Sequence, residues 1–200
     1  MSILVLTSDT LIGTPATGNI EYNGQFFGTD SNASRAQIQR ITQGTAVAST
    51  SGTSIAFTSI PSWVKRITIM FGGVSTSGAT AFLIQLGTGG TPTYTTSGYS
   101  AYGAVITSSV ISGAVNTTGF QVGNSSSSTN AYGGSCVLTN VTSNSWASNA
   151  FFAASALVGN GGLLGAGSIS LAAALTALRI TAGNGTDTFT AGSINILYEG

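Results

Sequence analysis

Histidine is missing from this 200-residue chain, cysteine occurs once, and only five basic and five acidic residues are present. Without histidine there is no general base that titrates near neutral pH and no imidazole metal ligand. A Ser–His or Cys–His nucleophile is excluded within one chain. The lone Cys136 has no intrachain disulfide partner; in SCVLTNV it reads as a buried strand residue. Basic residues stand singly except for Lys65-Arg66, so no basic stripe forms, which argues against nucleic acid and against an anionic membrane surface. No apolar run approaches the roughly 18 residues that span a bilayer. The opening MSILVLTSD has no basic n-region, and its apolar run, Ile3 to Leu6, is too short for a signal peptide. Assembly in a cytoplasm is therefore expected. The five carboxylates are Asp9, Glu21, Asp30, Asp187 and Glu199. A glycosidase needs two of them across a sugar. Asp187 and Glu199 could share neighbouring strands, but Glu199 is penultimate and poorly placed to hold a geometry. A depolymerase with carboxylates paired between chains is the remaining enzyme reading, and the weakest. No calcium-loop pattern occurs, and GTGGTP at 87–92 lacks the Lys-Ser/Thr of a phosphate loop. No cofactor and no metal are expected.

What is present is polar but uncharged. Charged residues are 5% of the chain, against about 25% in an ordinary soluble domain. Ser, Thr, Asn and Gln must supply solubility. A surface with net charge near zero does not repel its own copies, which suits a protein packed many times into an assembly.

Along the chain, residues 1–19 read as an arm: Ser2 to Leu6 has strand character, and Thr14-Pro15 and Gly18 then break regular structure. Residues 20–50 read as a hairpin stem with a linker. Ile20-Glu21-Tyr22, Asn23-Gly24 and Gln25-Phe26-Phe27 form a hairpin signal. Asn-Gly favours a two-residue type I′ turn, which predicts Tyr22 opposite Gln25, Ile20 opposite Phe27, and Glu21 opposite Phe26. Over 28–41 two readings stay open. Asp30, Ser31 and Asn32 can cap a helix across 33–40, or Ala36, Ile38 and Arg40 can alternate in an extended segment. Four of the ten charged residues, Glu21, Asp30, Arg35 and Arg40, fall within residues 18–40.

From residue 51 to 200 short alternating runs follow one another between Gly, Ser and Asn clusters. Ile67, Ile69 and Phe71 share a face, as do Phe82, Ile84 and Leu86. The pairs Phe120 with Val122 and Leu178 with Ile180 behave likewise, as do Ile194, Ile196 and Tyr198. This predicts an all-β, antiparallel, jelly-roll-like sandwich. In SISLAAALTALRI, the spacing of Leu171, Leu175 and Leu178 also permits a short helix; strand, turn and strand is the preferred reading.

Three stretches resemble proteins of tailed-phage virions. TPATGNIEYNGQFFGTDSNASRAQI resembles a short module found near the start of, or inside, many of them. IPSWVKRITIMFGGVSTSG and LRITAGNGTDTFTAGSINILYEG resemble the opening and closing strands of a C-terminal β-domain of tail-fibre and other virion proteins. Together they cover about a third of the chain. The resemblance implies a virion component, symmetric and often trimeric, with no catalytic motif to carry over.

With that resemblance, the hairpin reads as a stem at a symmetry axis. Glu21, Tyr22, Phe26, Phe27, Asp30, Arg35 and Arg40 are its candidate interface, each Arg meeting a neighbour's carboxylate. Ile3, Leu4, Val5 and Leu6 are the candidate anchor onto another virion protein, the shell first. The expected function is a trimeric capsid decoration or cement protein. The alternative is a tail-fibre or receptor-binding tip that stacks a host surface glycan on Tyr94, Tyr99 and Tyr102 of the loop PTYTTSGYSAYG, with Trp63 or Trp146 as lesser candidates.

Overall fold

The computed structural model describes residues 10, 11, 13, 14, 16–23, 25–107, 109–124, 126–155 and 162–200. The expected anchor, Ile3 to Leu6, lies outside the described residues. The chain divides into two compact units between Arg40 and Ile41. Every regular element in the described residues is a strand.

The first unit is a three-stranded antiparallel meander of β1 (Ile20–Tyr22), β2 (Phe26–Thr29) and β3 (Arg35–Gln37). Its hairpin register differs from the two-residue expectation. Tyr22 pairs with Phe26, Glu21 with Phe27 and Ile20 with Gly28, one residue beyond the predicted register. A slip of one residue moves side chains to the other face. It places the Tyr22 and Phe26 rings 5.0 Å apart. It also puts Glu21 on the face of Arg35, because Arg35 pairs with Thr29; the type I′ register would have set that ion pair on opposite faces. The helix reading of 33–40 is overturned. The Asp30 carboxylate accepts the N–H groups of Asn32 and Ser34, both at 2.9 Å, and Ala33 turns left-handed. Asp30 thus closes a tight turn, and β3 leaves it extended.

The second unit contains β4 (Ile41–Gln43), β5 (Val47–Ala48), β6 (Ser54–Thr58), β7 (Arg66–Thr76), β8 (Phe82–Thr88), β9 (Thr93–Tyr94), β10 (Ser100–Ile106), β11 (Ile111–Asn116), β12 (Phe120–Val122), β13 (Tyr132–Thr142), β14 (Ser145–Ala154), β15 (Gly162–Ser170), β16 (Leu175–Ala182) and β17 (Phe189–Glu199). Residues 41–48 are therefore not a linker. β4 and β5 pair with β17, and Ser49 is buried with its hydroxyl on the Ala191 carbonyl at 2.8 Å. Short polar segments read as linkers because their strand pairing runs through backbone groups, although Val47 also packs against the core.

The large sheet runs β11-β10-β15-β14-β13-β7-β17-β4, and the small one β12-β8-β16-β6, with β5 on β17 and β9 on β8. All pairs are antiparallel. Setting aside β9 and the added strands β10, β11, β14 and β15, the path is that of a jelly roll. The partners β4/β5–β17, β6–β16, β7–β13 and β8–β12 are one long hairpin wrapped into two facing sheets. β10 and β11 enter between β8 and β12; β14 and β15 enter between β13 and β16. Both insertions widen the same sheet.

Between the sheets lies one apolar core. Phe71 from the large sheet packs edge-on against Phe82 of the small one, with centroids 5.4 Å apart, and Tyr132 meets Phe82 at 5.3 Å. Ile67, Ile69, Phe71, Ile84, Leu86, Leu178, Ile180, Ile194 and Ile196 all face inward, as their alternation predicts. In β7 the inward parity changes from odd to even between Phe71 and Val74. Gly73, with φ +67°, forms the bulge that permits it. The segment 168–180 is strand, turn and strand: Leu171, Leu175 and Leu178 are all buried, and a turn separates β15 from β16.

Candidate functional site

On the small meander, the Arg35 guanidinium reaches the Glu21 carboxylate as a fork, Nε to Oε2 at 2.7 Å and Nη2 to Oε1 at 3.2 Å. Both side chains are largely covered. Within the chain, the expected interface residue Arg35 is held by Glu21, the pair reaching across β2. Ile20 and Phe26 stand exposed on the other face, while Tyr22 and Phe27 are half-buried. Asp30 is committed to its turn. Of the predicted interface residues, Glu21 and Arg35 meet directly, as do Tyr22 and Phe26.

The three candidate sugar-stacking tyrosines are dispersed. Tyr99 is buried, 2% exposed, and packs edge-on against Phe120. Its hydroxyl accepts the Leu86 N–H at 2.8 Å, and burial pushes its phenol up to about 12. Tyr99 is thus a core residue, not a loop contact. Tyr94 sits on β9 under the Arg179 guanidinium, 4.6 Å from its ring centre, and Arg179 donates to Gln85 Oε1 at 2.8 Å. Tyr102 is exposed on β10 of the other sheet. The segment 92–103 reads as a loop because Gly and Ser interrupt it, yet it supplies β9 and the start of β10. Trp146 is buried, and Trp63 packs against the core. A cleft beside Trp146, lined also by Ile60, Lys65, Asn140 and Asn144, has a volume of about 50 Å³, room for a few waters.

The carboxylates do not converge. Asp187 precedes β17 and Glu199 ends it, so the strand separates them by about 30 Å at its ordinary rise, far beyond the spacing of a glycosidase pair. Asp187 ties two loops together, accepting from Asn184 at 2.8 Å and from the Thr80 hydroxyl. These bonds, Asn184 first, hold its carboxyl below the usual range. Glu199 pairs with Arg66 at 3.4 Å. Among the described residues no three acidic or cysteine side chains group as metal ligands would.

A different feature escaped the sequence reading. Residues 67–178 contain no charged side chain, and within them Ile111, Val115, Tyr102 and Phe151 are exposed on the outer face of the large sheet. The signal was present in ISGAVN, where Ile111 and Val115 share parity, but alternation does not tell which face is covered. Comparison with family models, with curated proteins and with solved structures finds no match.

Proposed function

We propose that the chain is a non-enzymatic structural component of a tailed-phage virion, a homotrimer that decorates and reinforces the head shell. The observation that carries this reading is the small meander. Its strands are three or four residues long, and a sheet of that size is marginal in water. It nonetheless presents Ile20 and Phe26 outward. A closed ring of identical copies covers such a surface by repeating one contact. The jelly roll supports the reading by analogy, since shell proteins of viruses use that architecture. The near absence of charge suits close packing of copies. The resemblance of 14–38, 60–78 and 178–200 to virion proteins points the same way. In this reading Ile3, Leu4, Val5 and Leu6 bind the shell, partly by strand addition, which needs no charge. The alternative, a glycan-binding fibre tip, has less support, since Tyr99 is buried and Tyr94 and Tyr102 lie on different sheets.

Light scattering tests the symmetry: the mass should be a multiple of three times the 19.9 kDa chain. Co-sedimentation tests the location. The protein should bind tailless heads stripped of it, and deletion of residues 1–15 should abolish that binding. Binding to isolated tails alone would move the protein to the fibre.

A further inference from the structure

We propose that β11 is a self-pairing edge: it adds antiparallel to β11 of a second copy, about a two-fold axis through Gly113. This contact is separate from the trimer proposed above and does not depend on it.

β11 ends the large sheet, and among the described residues only β10 pairs with it. The phase of its hydrogen bonds follows from the hairpin, where the Thr107 N–H donates to the Val110 carbonyl at 2.9 Å. Alternate residues of an antiparallel ladder address the same neighbour. Ser112, Ala114 and Asn116 therefore bond to β10. Ile111, Gly113 and Val115 turn their N–H and C=O groups to the open side.

Open edges are ordinarily guarded by Lys, Pro or a bulge. ISGAVN contains none of these, and its register with β10 is unbroken. The nearest charged residues in sequence are Arg66 and Arg179. The other edges differ. β6 turns Ser54, Ala56 and Thr58 to solvent, while β4 and β12 are three residues each.

The side chains specify the occupant. Ile111 and Val115 are 70% and 80% exposed on the outer face. Between them the Tyr102 ring lies over Gly113, where any Cβ would collide with it. A charged partner would leave its charges unpaired against this surface. A second copy brings an equally uncharged strand. With the axis at Gly113, Ile111 stands opposite Val115 of the second copy, and Val115 opposite its Ile111. These are apolar cross-strand pairs in a register whose backbone groups are those left open by β10.

A charge swap tests both the contact and the register. Ile111→Lys with Val115→Lys sets Lys against Lys, and Ile111→Glu with Val115→Glu sets Glu against Glu. Both variants should halve the mass measured by light scattering. Ile111→Lys with Val115→Glu sets opposite charges face to face across the axis and should restore the wild-type mass. Within one chain both side chains point to solvent, so the Lys/Lys and Glu/Glu variants should still melt cooperatively, at a temperature lowered only by the lost association. Independently, hydrogen exchange of wild-type protein should show protected amides at Ile111, Gly113 and Val115 that become fast in the Lys/Lys variant. A wild-type mass of six chains supports both this contact and the trimer; two chains supports this contact alone. Three chains or one overturns it, as does a Lys/Glu variant that behaves like Lys/Lys, or fast exchange at those three amides in the wild type.

Discussion

Cys136 and Tyr99 show how far burial alone moves a titrating group. The Cys136 thiol is wholly enclosed, and burial pushes it from 9.0 up to about 12. Tyr99 is pushed up to about 12 by burial, offset by the Leu86 N–H and by Arg179. Both groups stay protonated in the folded chain at a pH where the unfolded chain ionises. The unfolded state then binds fewer protons, so stability falls as pH rises. The stability contributed by these two groups should be constant below about pH 9 and lost as pH climbs toward 12. Melting temperature against pH measures this. For the same reason Cys136 should resist a thiol reagent in the native protein and react at once in guanidinium. The Glu21–Arg35 fork makes a second residue-scale prediction. Arg35→Ala removes hydrogen bonds to a charged group, costing about 1.5–3 kcal/mol. The cost should appear as protease cleavage within 20–37 while the sandwich stays intact.

Among the elements, β12 depends on its glycine neighbour across the core. A Cβ at Gly165 of β15 would strike the Gln121 carbonyl of β12. Gly165→Ala should therefore destabilise by roughly 1–3 kcal/mol, the usual range for overpacking. Gly133→Ala is the control: its nearest neighbour would be 3.7 Å away, ordinary contact, and its effect should be within about 0.5 kcal/mol. Denaturant titration separates the two. Most strands were legible, because Ile67, Ile69 and Phe71 or Ile194 and Ile196 alternate with polar residues. The hairpin register was not. Asn23-Gly24 favours a two-residue turn, but the ion pair and the Tyr22–Phe26 contact are available only after a one-residue shift. β4 and β5 were illegible for another reason: their pairing with β17 lies in backbone groups, on which side-chain patterns are silent.

For the whole molecule, the two units should be separable. The sandwich has its own core, closed by β4 and β5 on one side, whereas the meander has strands of three or four residues. Deleting residues 1–40 should leave a cooperatively melting jelly roll whose melting temperature shifts by only a few degrees. Its mass should lose the factor of three that the meander is proposed to supply. A deletion product that keeps a multiple of three would locate the three-fold contact on the sandwich instead.

Composition and alternation by themselves determined the all-β class, the antiparallel sandwich and the buried place of Cys136, because these follow from period-two burial and from the residues the chain lacks. The tertiary structure decided which strands became neighbours, that Tyr99 belongs to the core while Tyr102 faces outward, and that Asp187 and Glu199 stand at opposite ends of one strand. It also decided that β11 is left at an edge. Alternation records that a strand has two faces. Only the order of strands in the sheets says what each face, and each edge, will meet.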